Sequence, residues 1–200
     1  MSKKKGIYMK GSKPLADSEV EAVSAQLAPR DRALFILGVC SGFRISELLS
    51  LRIGNVEQNG RIVDAVAVAR RAMKGKNEGR TIPLAEKARI VLADWLNIMR
   101  ATCPLVPRDT FLFASRKGNG AITRTQAWRV LSIAYTSARI SGKLGTHAMR
   151  KTFAAKMYEG LGHDLMKTQR ALGHRSITST VSYLSFAESD INAAVLGAWG

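Results

Sequence analysis

Residues 33–40 read ALFILGVC, eight positions without a charged side chain. A helix that is apolar nearly all round is stable in water only when other elements cover every face. A chain carrying this segment must therefore build its layers around one central helix, expected over about residues 30–42 and punctuated by Gly42. Upstream, SEVE at 18–21 has the form of a capping box and predicts a helix start. A short helix is expected from Ile45 to near Leu51. The period then changes. RIVDAVAVAR at 61–70 is rich in Val and Ala with partial alternation, KGKNEG at 74–79 is a turn, and RTIPL returns as a second strand. Helical spacing resumes at 85–101. TFLF at 110–113 reads as a short strand or extended piece and RKGNG at 116–120 as a loop. Further helices are expected at 124–140, 147–160, 164–172, 176–184 and about 187–197. The expected fold is mainly α with a small β-hairpin sheet. A basic arm occupies 1–15, one domain spans 16–186, and a C-terminal segment covers 187–200.

Apolar content of 46% and charged content of 23% suit a folded globular domain of this 200-residue length. The charge balance is less ordinary. The chain has 31 Lys and Arg against 15 Asp and Glu, a formal net charge of +16. Such a surplus favours a polyanionic partner, with double-stranded nucleic acid the default. The sequence has neither a run of about 18 apolar residues nor a long basic amphipathic helix, which disfavours a membrane. The start, MSKKKGIYMKGSK, lacks an apolar signal core, so a cytoplasmic, nucleoid-associated protein is expected. Cys40 and Cys103 lie far apart and form no CxxC, and Cys40 is expected as a reduced core residue. With three histidines, His147, His163 and His174, and no ligand spacing, no metal and no cofactor are expected.

Three stretches carry chemistry. In GFRISELLSL at 42–51, Arg44 and Glu47 are spaced i, i+3 on one helix face. The pair reads either as a solvated salt bridge or as an arginine braced to grip an anion. In THAMRKTFAAKMYEGLG at 146–162, His147 and Arg150 share the face of a first helical turn, where backbone donors and the helix dipole favour phosphate. In LGHRSITSTVSYL at 172–184, His174 sits at a helix junction with Tyr183 beyond it. His163 reads as a cap or surface residue.

GFRISEL, HAMRKTFA and LGHRSITSTVSYL, in that order and with the cationic hairpin between the first two, resemble the tyrosine site-specific recombinases, or phage integrases. The resemblance runs from about residue 15 to 190. It implies a DNA strand transesterase. Arg44, Arg150 and His174 would stabilise the charged phosphorane, with Glu47 supporting Arg44. Lys74 would be the hairpin general acid, with Lys76 as the alternative because the turn is one residue longer than the family pattern. His147 would be the base or proton shuttle, and Tyr183 the nucleophile that leaves a 3′-phosphotyrosyl bond. Arg70, Arg71, Lys76, Arg80, Arg116, Lys117, Arg124, Arg129, Lys151 and Arg175 are candidates for the DNA backbone.

The resemblance also implies a monomer in free solution that forms a homotetramer on paired DNA sites. Host DNA-bending or accessory proteins would assist, and the segment after Tyr183 would dock into a neighbouring subunit. Most members carry a helical clamp domain before the catalytic pattern. Its absence here resembles the short fimbrial phase-variation invertases, unless the chain is trimmed. Two rival functions share much of the pattern: a type IB topoisomerase, and a DNA-binding regulator that has lost catalysis.

Overall fold

The computed structural model describes residues 12–68, 80–118, 120–184 and 196–197. The chain divides into a larger compact unit ending at Phe153 and a smaller one beginning at Ala154. The division falls inside a helix, α7 (Thr146–Gly160), where no Gly or Pro interrupts the sequence to announce it.

The larger unit is built on α2 (Pro29–Ser41). Pro29 at the first helical position has its ring pre-set for helix and no donor to waste. Ala33, Leu34, Phe35, Ile36 and Leu37 are consecutive and each at most 1% exposed, so every face of this helix is covered. Its main partner is α5 (Glu86–Thr102), which turns Ala88, Leu92 and Leu96 inward as one seam. α1 (Asp17–Ala25) and α6 (Arg124–Ser137) also pack on α2, and the rings of Phe35 and Tyr135 meet edge to face at 6.4 Å. Each fully buried Leu or Phe contributes about 1.5–3 kcal/mol.

α3 (Ile45–Ser50) and α4 (Ile53–Val56) follow α2 and lead into two antiparallel ribbons. β1 (Glu57–Gln58) pairs with β2 (Arg61–Ile62). β3 (Ala65–Val68) pairs with β4 (Arg80–Pro83) in the register Val66↔Ile82 and Val68↔Arg80. Val66 and Val68 point into the core while Ala65 and Ala67 face out.

In the smaller unit, α8 (Leu165–Leu172) packs on α9 (Ile177–Val181). The Asp164 carboxylate caps α8, accepting from the amides of Met166 and Lys167 at 2.9 Å each. Ser176 caps α9. Among the described residues no helix is long and apolar enough to cross a membrane.

The mainly helical fold with small antiparallel sheets follows the sequence pattern, and several details differ. The stretch expected as one strand from 61 is divided, with β2 ending at Ile62 and β3 beginning at Ala65 on a different ribbon. α1 starts earlier than SEVE predicts, because Glu19 rather than Glu21 reaches back to a cap amide, that of Ala16, at 3.0 Å. TFLF forms no strand ladder. Phe111 makes an isolated bridge to Arg52, and on one side the neighbouring bonds come from Ile53 and Gly54, the first residues of the one-turn helix α4, which prevents extension. α6 stops at Ser137 because Arg139 adopts φ 54° and Ile140 N–H closes back onto the Tyr135 carbonyl. α9 ends at Val181, so Tyr183 lies just past a helix end. Most of the helix expected at 187–197, and the turn at 74–79, lie outside the described residues.

Candidate active site

α2 ends at Gly42, which takes φ 60° and ψ 21°, a left-handed conformation that glycine adopts without cost. A Cβ at this position would collide with Cδ1 and Cγ of Phe153, so space as well as backbone demands glycine. The turn continues through buried Phe43 into Arg44, the residue at the start of α3. Glu47 grips Arg44 twice. Its carboxylate accepts from the Arg44 backbone N–H at 2.6 Å and from the guanidinium at 3.1 Å. Glu47 thereby holds both the backbone and the head group of Arg44, whose side chain stays 41% exposed.

α7 brings the second set. The hydroxyl of Tyr135, whose burial raises its pKa, donates to the Gly145 carbonyl at 3.3 Å, and Ala148 N–H donates to the same residue. The start of α7 is thereby held on α6. His147, Arg150 and Lys151 share one face of α7 by their i, i+3, i+4 spacing. Arg150 is 1% exposed and donates a guanidinium N–H to the Gly42 carbonyl oxygen. Lys151 is 7% exposed, and burial lowers its pKa. The His147 side chain remains exposed, yet its pKa is lowered, first by partial desolvation and then by the charges of Arg150, Arg44 and Lys151. Arg150, Arg44 and Lys151 thus add to partial desolvation in disfavouring the protonated form of this one imidazole.

The smaller unit holds the third set. α8 terminates in Gly173 at φ 62°, and His174 N–H returns to the Gln169 carbonyl at 3.1 Å. The Gln169 side-chain amide donates to the His174 carbonyl at 3.1 Å, so the histidine backbone is pinned from both sides. Its Nδ1 lies 3.0 Å from Oγ1 of Thr180, which is fully buried. The imidazole packs against the Tyr183 ring with centroids 5.1 Å apart and planes tilted by 58°. Tyr183 N–H bonds to the Thr180 carbonyl at 2.9 Å. One threonine therefore locates both residues.

Of the other candidates, Arg70, Arg71, Lys74 and Lys76 lie outside the described residues. Arg116, Lys117, Arg124, Arg129 and Arg175 are exposed. Arg80 is half-buried, with its guanidinium on the carbonyls of Ser41 and Gly42. Cys40 is half-buried against the core, and Cys103 is exposed. His163 adopts φ 65° just before the Asp164 cap and meets Tyr158 edge to face at 4.9 Å. The sequence reading missed Thr180 and Gln169. The run SITST offered a cue for Thr180, since a buried threonine in a polar run calls for a partner.

The family model described as "Phage integrase family" matches residues 14–189. Tyrosine recombinase XerC of Pseudomonas entomophila is 31% identical over 157 residues, covering 78% of this chain and 48% of that protein. The probable integrase/recombinase YoeC of Bacillus subtilis is 30% identical over 165 residues, covering 82% of each. The chain spans about half the length of most of the curated relatives it matches. Among solved structures, XerA recombinase superposes with a TM-score of 0.73 at 23% identity, over 94% of this chain and 65% of that one. XerH in a post-cleavage complex with a palindromic difH substrate gives 0.70 at 25%, over 96% and 56%. With the motifs in order, the fold matched and the profile spanning most of its length, the chain belongs to the phage integrase family.

Proposed function

We propose that the protein is a site-specific DNA recombinase that cuts and rejoins strands through a tyrosyl–DNA intermediate. The observation that carries this reading is that the buried Arg150 guanidinium, one helical turn from His147, donates to the Gly42 carbonyl, two residues before the Glu47-held Arg44, so two forked cations and an imidazole share one locality. The Tyr183 hydroxyl oxygen attacks phosphorus and its proton passes to His147, whose lowered pKa favours the neutral ring that can accept it. As the P–O5′ bond breaks, the 5′ oxygen takes a proton from an acid for which Lys74 is the first candidate. Charge gathering on the nonbridging oxygens meets the forked donors of Arg44 and Arg150 and a donor from His174. Lys151 adds an ammonium to the same cluster. The 5′-hydroxyl of a second strand reverses the sequence, and the phosphotyrosyl bond conserves the energy of the one broken.

Exchange between two duplexes needs four cleavages, so we infer a tetramer on paired sites assembled from monomers, with accessory proteins bending the DNA. The place of action is the cytoplasmic nucleoid. A net charge of +16 supports DNA as the partner.

The test uses nicked duplexes tiled from DNA flanking the protein's own gene. An SDS-resistant protein–DNA adduct is expected with the wild type and none with Tyr183→Phe, which should retain half-site binding. Sequence-specific binding without any adduct, under conditions that assemble multimers, would replace this reading with that of a silent regulator. Relaxed circles with no exchanged partners would indicate topoisomerase chemistry.

A further inference from the structure

We propose that Arg80 is a positioning residue, acting through the backbone turn that presents Arg44 and receives Arg150. Its guanidinium donates to the Ser41 carbonyl at 2.6 Å and to the Gly42 carbonyl at 3.4 Å. The same group lies 5.2 Å from the ring centroid of Phe43 and 5.6 Å from that of Phe153. Arg80 thus touches both carbonyls at the end of α2 and both aromatic rings beside them.

Those carbonyls belong to the last turn of α2, where a helix leaves its acceptors unsatisfied and carries partial negative charge. A cation with two parallel donors caps them well. The Gly42 oxygen is shared, because Arg150 donates to it too. Only Phe43, 1% exposed, separates Gly42 from Arg44. Rotation of the Gly42 peptide would therefore move the Arg44 backbone and remove the acceptor that aligns Arg150. Arg80 opposes that rotation from outside the α2–α3 segment, as the first residue of β4. A lysine would keep the charge but could neither bridge two carbonyls in one plane nor stack between two rings. In this geometry Arg80 directs an N–H from each terminal nitrogen to a backbone oxygen, a different task from gripping a DNA phosphate.

The catalytic consequence rests on the proposed recombinase activity, and the structural one does not. Full-length Arg80→Met and Arg80→Lys would be compared with wild type in two assays. The first is amide hydrogen exchange without DNA. Exchange in the peptide spanning 42–48 is expected to speed at least tenfold in Arg80→Met and less in Arg80→Lys, while α5 and α6 keep their protection. The second assay separates half-site affinity from the single-turnover cleavage rate at saturating DNA. The rate should fall at least tenfold, with affinity and its salt dependence within twofold of wild type. Combination with Arg44→Lys should cost less than the product of the single effects. Unchanged exchange at 42–48 overturns the proposal. So does a loss of affinity and salt slope at an unchanged rate, which would make Arg80 a phosphate contact. A uniform rise in exchange across α2, α5 and α6 would make it a general stability residue and also overturn it. Should Arg80→Met fail to fold, the same criteria apply to Arg80→Lys. A wild-type protein that forms no adduct counts against the recombinase reading alone; the exchange comparison needs no DNA and still decides.

Discussion

Arg150, in α7, and Gly42, in the left-handed turn that ends α2 over a hundred positions earlier, are joined by a hydrogen bond from a fully buried guanidinium to the glycine carbonyl. The bond uses one edge of the fork and fixes the plane of the rest. Arg150→Lys keeps the charge and loses the plane. It is expected to lower the cleavage rate at saturating DNA about a hundredfold, the scale set by removing a preorganised donor from a developing oxyanion. Half-site affinity should change far less. Single-turnover kinetics on a nicked half-site checks this.

Gly42 itself tolerates no side chain. Gly42→Ala places a methyl against Phe153 and holds an L-residue at φ 60°. The left-handed backbone costs about 1–2 kcal/mol and overpacking about 1–3 kcal/mol. Urea unfolding should show a stability loss of about 2–5 kcal/mol with an unchanged m-value.

Glu47 acts by fixing Arg44 at two points. Glu47→Gln keeps an acceptor for the Arg44 amide and replaces a charge-assisted bond with a neutral one. Because a bond to a charged group is worth about 1.5–3 kcal/mol, cleavage should slow by about tenfold or more, with a smaller change in melting temperature. Equal rates for the two proteins would mean that the brace is solvated and idle.

The pH dependence should report His147. Its pKa lies below the ordinary imidazole value of 6.5, so at a pH where a free imidazole would be half charged a larger share of this ring is neutral and able to accept a proton. The acid limb of kcat/KM, which reports the free enzyme, is expected below 6.5, and His147→Ala should abolish it. The stability linkage has the matching sign. Below 6.5 the unfolded chain binds the proton more readily than the folded one, so this group's contribution to stability falls as pH drops through that value. An acid limb above 6.5 contradicts the expectation.

Thr180 should matter although it touches no reacting atom. Thr180→Val preserves volume and removes the hydroxyl that holds Nδ1 of His174. A lost neutral hydrogen bond is worth about 1 kcal/mol, so a fall of about fivefold in cleavage is expected. Hydrogen bonding at the His174 ring can be followed by its nitrogen NMR shifts, which should move while those of His163 do not.

Much of this was legible in the chain itself. An apolar run with no polar face had to be the central helix, and every residue from Ala33 to Leu37 is buried. Val66 and Val68 alternate with Ala65 and Ala67 as a half-buried strand demands. The i, i+3 spacings already put Arg44 with Glu47 and His147 with Arg150 on shared faces, because helical geometry turns spacing into neighbourhood. Boundaries were less legible. Either of two glutamates could have closed the cap of α1, and TFLF had strand composition but no partner able to extend a ladder.

What the sequence determined, then, is which residues lie on which local element, since periodicity, caps and glycine turns act within a few positions. Tertiary structure alone decided which distant groups share an acceptor. Arg80 and Arg150 meet at the Gly42 carbonyl, and Lys151 loses its water beside His147. The physical reason is that a hydrogen bond or a desolvated charge depends on the position of its partner in space, and packing around α2 sets that position.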